Sequence, residues 1–255
     1  MVWIGGAPGA GKSTVARALA RRYGLRLYGA DTRTWVHRDR ALAAGIAAAR
    51  RFEELTPVER WQRPAAELVD MALHRERGPM VLADLAGLPD APLVMAEGTT
   101  LPAYAADPAR SVWLLPTPDF QAARLAARAT SAGQTRLFTA LTEVVAAEAR
   151  EHGLPTLTID GGTGVEDTIG AVEALLAGPL RDGPHATDEA QRQELLREQN
   201  QAGIAQVRGF YARPWATGDP DAVEVELACE CGDPACARTV RRLIGDYRTP
   251  CLAEH

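Results

Sequence analysis

The sequence predicts an α/β fold: a five-stranded parallel sheet with helices on both faces, followed by a small α+β module. Three observations carry this. Five short apolar runs recur along the first 160 residues, each closed by turn residues and separated from the next by a helical segment. A glycine-rich stretch separates the first run from a helix. All four cysteines of the 255-residue chain fall in its last 27 positions, beyond a segment dense in glycine and proline.

The elements follow in order. Val2-Trp3-Ile4 is the first run and ends at Gly5-Gly6. Val15, Ala16, Leu19 and Ala20 then mark a helix to Tyr23 by their spacing. Leu25 to Tyr28 is the second run and stops at Gly29-Ala30-Asp31. A long, mostly helical insertion occupies 32–92, rich in Arg and Ala around 38–55, continuing from Val58 to Arg77 and interrupted at Gly78-Pro79 before Met80 to Leu88. Leu93 to Ala96 is the third run, Ser111 to Leu115 the fourth and Thr156 to Ile159 the fifth. A helix from Val165 to Leu176 completes the main domain, 1–178, and 179–187 reads as a linker. The module, 188–255, opens with a helix capped by Thr187, with Asp188 and Glu189 in its acid-favoured first turn, and Pro214 ends it.

Composition narrows the function classes. The content, 46% hydrophobic and 24% charged, is that of a globular protein, and the net charge of −5 argues against a nucleic-acid partner. No apolar run approaches the ~20 residues that span a bilayer, and no signal segment precedes the first strand, so the expected location is the cytoplasm.

The glycine-rich stretch is Gly6-Ala7-Pro8-Gly9-Ala10-Gly11-Lys12-Ser13, with Thr14 following. Lys12 is the only lysine among 28 basic residues, the other 27 being arginine. Strand, G-x-x-x-x-G-K-[ST], helix is the phosphate-cradling P-loop. Its backbone N–H groups and the positive helix end hold phosphate oxygens, Lys12 reaches the β- and γ-phosphates, and the Ser13 hydroxyl ligates Mg²⁺. ATP and Mg²⁺ are the expected cofactors.

A P-loop, Asp31 closing the second run, Glu97-Gly98 closing the third and Arg124 and Arg128 after the fourth resemble the P-loop kinases of small molecules. That group contains nucleoside monophosphate, gluconate and shikimate kinases and chloramphenicol phosphotransferase. The resemblance spans about residues 1–178 and implies a sheet in the order 2-3-1-4-5 and transfer of the γ-phosphoryl group of ATP to a bound acceptor. It implies that Asp31 orients or deprotonates the acceptor hydroxyl or holds Mg²⁺ through water, although Asp31 also suits an N-cap. Glu97 is expected beside the P-loop strand, polarising the Mg²⁺ shell. Asp84 is the alternative, but Val81, Leu82, Leu85 and Leu88 set it on a helix. Arg124 and Arg128, one helical turn apart, would close over the phosphates as a lid, with Arg136 beyond a flexible stretch; as surface arginines they would simply be solvated.

The insertion is where such kinases hold their acceptor. Arg33, Trp35, His37, Arg38, Asp39 and Arg40 lie at its start, and Trp61 and Arg63 come later. An aromatic with several arginines suggests an acceptor that is planar, anionic or both, and Arg33, Trp35 and Arg38 are the candidate contacts.

The tail reads Cys229-Glu230-Cys231-Gly232-Asp233-Pro234-Ala235-Cys236, with Cys251 and His255 beyond. Cys229 and Cys231 share a strand face, and the Gly232-Asp233-Pro234 turn can return Cys236 toward them, as a zinc knuckle requires. His255 or Cys251 would be the fourth ligand of a structural Zn²⁺. Unligated thiols are the plain alternative. The segment also resembles a Cys-Glu-Cys-Gly-Asp-x-x-Cys module of uncharacterised bacterial proteins, which commonly ends Pro-Gly-His where this chain has Ala253-Glu254-His255.

The leading expectation is an ATP- and Mg²⁺-dependent kinase of a small metabolite, nucleoside or antibiotic. A nucleotide-switched ATPase that engages a protein partner through its C-terminal module is the alternative. A polynucleotide 5′-kinase is a third, disfavoured by the acidic balance.

Overall fold

In the computed structural model, residues 1–253 are described. The elements run β1 (Val2–Gly6), α1 (Lys12–Tyr23), β2 (Arg26–Gly29), α2 (Thr34–Ala43), α3 (Ala47–Glu54), α4 (Pro57–Trp61), α5 (Ala65–Met71), α6 (His74–Ala86), β3 (Val94–Gly98), β4 (Ser111–Pro116), α7 (Pro118–Ala127), α8 (Ala132–Glu151), β5 (Thr156–Ile159), α9 (Val165–Leu175), α10 (Ala177–Asp182), α11 (Glu189–Tyr211), β6 (Glu224–Ala228) and β7 (Thr239–Leu243).

The first five strands form one sheet in the order β2-β3-β1-β4-β5, all neighbours parallel. This is the order implied by the kinase resemblance. A sheet covered on both faces needs apolar residues on both sides of its strands, and β1 and β3 are buried throughout. One face packs Val2, Ile4, Met95, Val112 and Leu114 against α1 and α9. The other packs Trp3, Tyr28, Ala96 and Trp113 against α6 and α8. The register pairs Gly5 with Gly98 and Ile4 with Glu97, so the ends of β1 and β3 finish level with each other. That edge carries the site.

Sequence expectations fail at three places for local reasons. The Gly78-Pro79 interruption is absent: α6 runs through with Pro79 inside it. Pro79 forfeits one intrahelical bond, but Arg77, Gly78, Val81 and Leu85 bury along one face, and tertiary packing outweighs the break. The segment read as a linker is partly helical, since α10 covers Ala177–Asp182 and Leu180 is fully buried in the main core. The cap of α11 is Asp188, not Thr187: the Asp188 side chain accepts from the Gln191 backbone N–H at 2.8 Å.

β6 and β7 form a separate antiparallel pair. Leu227, Val240, Ile244 and Cys251 pack with Ile204 of α11 in a small core of their own. α11 also meets β2 and α2 of the main sheet unit, and Arg213 just beyond it bonds Asp39 at 2.7 Å. No helix among the described residues is long and apolar enough to cross a membrane.

Candidate functional site

The loop after β1 is shaped by glycines that other residues could not replace. Gly6 has φ +130°, and a Cβ there would lie 2.1 Å from the Leu114 carbonyl oxygen. Gly11, at φ +86°, turns the chain into α1. Pro8, Gly9, Gly11, Lys12, Ser13 and Thr14 border a cavity of about 800 Å³, while Gly6, Ala7 and Ala10 are buried behind them.

Lys12 is 5% exposed and donates to the Ala7 carbonyl at 2.8 Å and to Thr99 Oγ1 at 3.2 Å. Burial lowers its pKa, and the charges of Asp31 and Glu97 work against that. Ser13 Oγ donates to Glu97 Oε2 at 3.0 Å. Burial pushes the Glu97 carboxyl up to about 7, Asp31 adds to the shift, and Lys12 and Ser13 oppose it. An ammonium, a hydroxyl and two carboxylates thus converge at the carboxyl edge of the central strands, where ligands of such sheets bind. Oxygen donors of this kind suit Mg²⁺.

The chain belongs to the AAA domain family. That family's model (AAA_33) matches residues 1–155, which hold the P-loop and the first four strands of the sheet and stop just before β5. Among solved structures, the chain is similar to a shikimate kinase from Acinetobacter baumannii in complex with shikimate, at 19% identity and a TM-score of 0.41, covering 69% of this chain and 92% of that one. No curated protein sequence matches it.

Within the AAA domain, the cavity joins residues distant in sequence. Asp31, Trp35, Arg38 and Arg128 border it. Arg124 does not; it lies exposed on α7, its Cβ 3.9 Å from where a Cβ on Gly9 would be. Arg136 donates to the Trp61 carbonyl at 2.5 Å and ties α8 to α4.

Arg33, His37 and Arg40 turn away from the cavity toward Asp84 of α6. Its carboxylate accepts from Arg33 Nε at 3.1 Å, His37 Nε2 at 2.9 Å, Arg40 Nη1 at 2.6 Å and the Tyr28 hydroxyl at 3.0 Å. Asp84 is the anchor that holds the insertion onto the sheet unit. Burial alone would raise its pKa, but the bonds from Arg40, His37 and Arg33 prevail and lower it to about 2. Arg77 Nε donates to His37 Nδ1 at 3.3 Å, which fixes His37 as the neutral tautomer with its proton on Nε2.

Several bordering residues carried no sequence signal. Thr99 and Thr100 follow Glu97 at the sheet edge. Gln121 of α7, 4% exposed, donates to the Pro8 carbonyl at 2.9 Å and to Thr142 Oγ1 at 2.6 Å, bracing the P-loop from α8. Arg60, Arg77, Phe52 and Phe138 come from the insertion and α8, and Gln206, Phe210, Trp215 and Thr217 from the segment after the AAA domain. Only Gln121, which lies behind the lining and three residues past Thr117-Pro118, sits where inspection of the α7 start could have found it.

In the tail, the sulfur atoms of Cys229, Cys231 and Cys236 lie within 4.8 Å of one another. Tetrahedral zinc holds thiolates roughly 3.8 Å apart, so the donor set fits with a small closure. Cys251 is not in this group; it packs in the small apolar core and its N–H donates to Glu230 Oε2 at 2.9 Å. His255 lies outside the described residues. Arg21, on the helix that begins with Lys12, donates to the Asp233 carbonyl at 3.0 Å and to the Cys229 carbonyl, and reaches Cys231 Sγ at 3.8 Å.

Proposed function

We propose that this chain is an ATP- and Mg²⁺-dependent kinase of a small-molecule acceptor. The observation that carries the reading is the Lys12, Ser13, Glu97 and Asp31 constellation opening into a single cavity that continues well past the P-loop. A nucleotide switch needs the phosphate site alone; a phosphotransferase also needs room for an acceptor beside it.

In this reading the loop N–H groups and Lys12 hold the β- and γ-phosphates, and Lys12 neutralises the charge that spreads over the transferred group. Ser13 and Glu97 would hold Mg²⁺, directly or through water. The ion supplies charge neutralisation at the phosphates when bound. Asp31, exposed at the cavity mouth, positions the acceptor hydroxyl and takes its proton. Arg128 serves as the lid cation; Arg124 stands one turn away on the exposed side of α7. The proposed organisation is a kinase domain over about 1–178 and a C-terminal unit over 188–255 whose three thiols bind one structural Zn²⁺.

The test is an ATP-dependent screen of a metabolite pool for phosphorylated product, with Lys12→Ala as the blank. Loss of turnover by about 10²–10³-fold in that variant, with an unchanged far-ultraviolet circular dichroism spectrum, is expected. Full activity without Lys12, or ATP hydrolysis with no phosphorylated product from any pool, refutes the assignment.

A further inference from the structure

The cavity walls carry far more positive charge than the chain as a whole. Lys12, Arg38, Arg60, Arg77 and Arg128 border it against one lining carboxylate, Asp31, with Glu97 behind Ser13 at the phosphate end, in a protein of net charge −5. Lys12 and Arg128 face the phosphate site. The other three do not, and they are buried: Arg38 is 3% exposed, Arg60 2% and Arg77 5%. Their hydrogen bonds go to neutral groups, Arg38 to the Met71 carbonyl, Arg60 to the Phe52 and Leu55 carbonyls, and Arg77 to the Ala30 carbonyl and His37.

Compensation by protein carboxylates is thin. Arg77 feels Asp31 and Asp84. One carboxylate, Glu53, serves three guanidinium groups: it lies 4.0 Å from Arg38 Nε and 3.8 Å from Arg213, its charge also acts on Arg60, and Arg38 Nη1 has no hydrogen-bond partner. Buried guanidinium groups that outnumber their carboxylates are costly, so a wall built this way is completed by an anion.

The same wall is aromatic. Arg38 and Arg60 each place Cζ 3.6 Å from the centroid of Phe52, which requires that they sandwich the ring, and Arg60 continues onto Trp215 at 4.4 Å. Trp35 and Phe210 join them, with centroids 5.7 Å apart. Phe210 and Trp215 come from the segment beyond the AAA domain, so that segment closes the cavity.

From this we infer that the half of the cavity away from the P-loop is an acceptor subsite for a planar, ring-bearing organic anion with a hydroxyl group, and that Arg38 and Phe210 set its specificity. The inference rests on the kinase reading for the direction of transfer. In that step the acceptor hydroxyl oxygen bonds to the γ-phosphorus, the bond from that phosphorus to the β,γ-bridging oxygen breaks, ADP leaves, and the hydroxyl proton passes to Asp31 and on to water. Planar surfaces stack on Trp35 and Phe210, and the oxyanion offsets the buried guanidinium groups.

Calorimetric titration of the full chain in saturating Mg-ADP tests this with four probes: 3-hydroxy-2-naphthoate and 2-naphthyl phosphate as ring-bearing anions, 2-naphthol as the ring without charge, and gluconate as a hydroxy acid without a ring. The ring-bearing anions should bind at least about tenfold more tightly than either control, a difference typical of one charged hydrogen bond or one stacked ring. Arg38→Met should erase the preference for naphthoate over naphthol, and Arg38→Lys should keep part of it. Phe210→Ala, at a partly exposed position, should weaken both ring-bearing anions. Equal or tighter binding of gluconate, equal binding of naphthol and naphthoate, no binding of either ring-bearing anion at about millimolar concentration, or indifference to Phe210→Ala overturns the inference. Titration of Mg-ADP alone into wild type and Lys12→Ala reports on the phosphate site separately, so failure there sinks the kinase reading while the probe ranking still decides the subsite.

Discussion

Ser13 Oγ donates to Glu97 Oε2 at 3.0 Å, joining the first turn of α1 to the end of β3 across 84 positions of sequence. The parallel pairing of Ile4 with Glu97 brings the carboxylate there, and the P-loop turn brings the hydroxyl. The bond places the two proposed Mg²⁺ groups in contact before any ion arrives, which lowers the ordering cost of binding.

Glu97→Gln preserves the side-chain shape and a partner for Ser13 but removes the charge. Mg²⁺ affinity measured through nucleotide binding should fall by about 10–100-fold, with Mg²⁺-free ADP affinity little changed. Unaltered Mg²⁺ dependence would take Glu97 out of the proposed site.

Asp84 gathers Tyr28, Arg33, His37 and Arg40. Asp84→Asn should destabilise the fold by about 1–2 kcal/mol at neutral pH, because the buried His37 and two half-exposed guanidinium groups lose a charged acceptor. The pH dependence has a definite sign. A carboxyl depressed from 3.8 to about 2 contributes stability that is present above pH 3.8 and lost as pH falls toward 2. His37, whose pKa burial lowers from 6.5, adds stability present above 6.5 that erodes as pH falls further. Between about pH 7 and 4.5 the raised Glu97 carboxyl works against His37, because its protonation favours the folded state. The decline of denaturant midpoints below about pH 4 should therefore be the clear Asp84 signal in the wild type, and Asp84→Asn should flatten it.

Gly133 begins α8 against α4, and a Cβ there would meet the Trp61 carbonyl at 2.2 Å. Gly133→Ala should cost about 1–3 kcal/mol by overpacking. Gly170, inside α9 with nothing within 4 Å of its Cβ position, is the contrast: Gly170→Ala should stabilise by about 0.5–1 kcal/mol through helix propensity. Thermal midpoints of the two variants should move in opposite directions.

The purified chain should carry one zinc by elemental analysis, lost in Cys231→Ser and on treatment with a strong chelator. Arg21→Met should leave the metal in place but raise amide hydrogen exchange over residues 229–236, since Arg21 bonds the carbonyls of Cys229 and Asp233. Zinc-free protein with unchanged thermal stability would leave the three thiols as an unligated cluster.

Much of the fold was legible because its signals are local. The P-loop is contiguous, and each strand announces itself by an apolar run and a turn. Glu97 could be preferred to Asp84 from helical spacing alone, and the structure has Asp84 in α6 and Glu97 at the end of β3. Arg33, expected as an acceptor contact, faces Asp84 instead, because an arginine near a site looks the same in sequence whether it faces a ligand or a structural carboxylate 51 residues away.

By itself, the sequence determined the individual strands, the phosphate loop and the three-thiol cluster, since each depends on residues a few positions apart whose backbone geometry follows from their own types; the strand order came from the kinase resemblance. Only the tertiary structure decided the cavity. Trp35, Phe52 and Trp215 meet there although the last lies 162 residues beyond Phe52's neighbour Glu53, to which it bonds. Which arginines are buried against that wall, and which remain in water, depends on how the insertion and α11 pack across the sheet edge, and no local pattern encodes that docking.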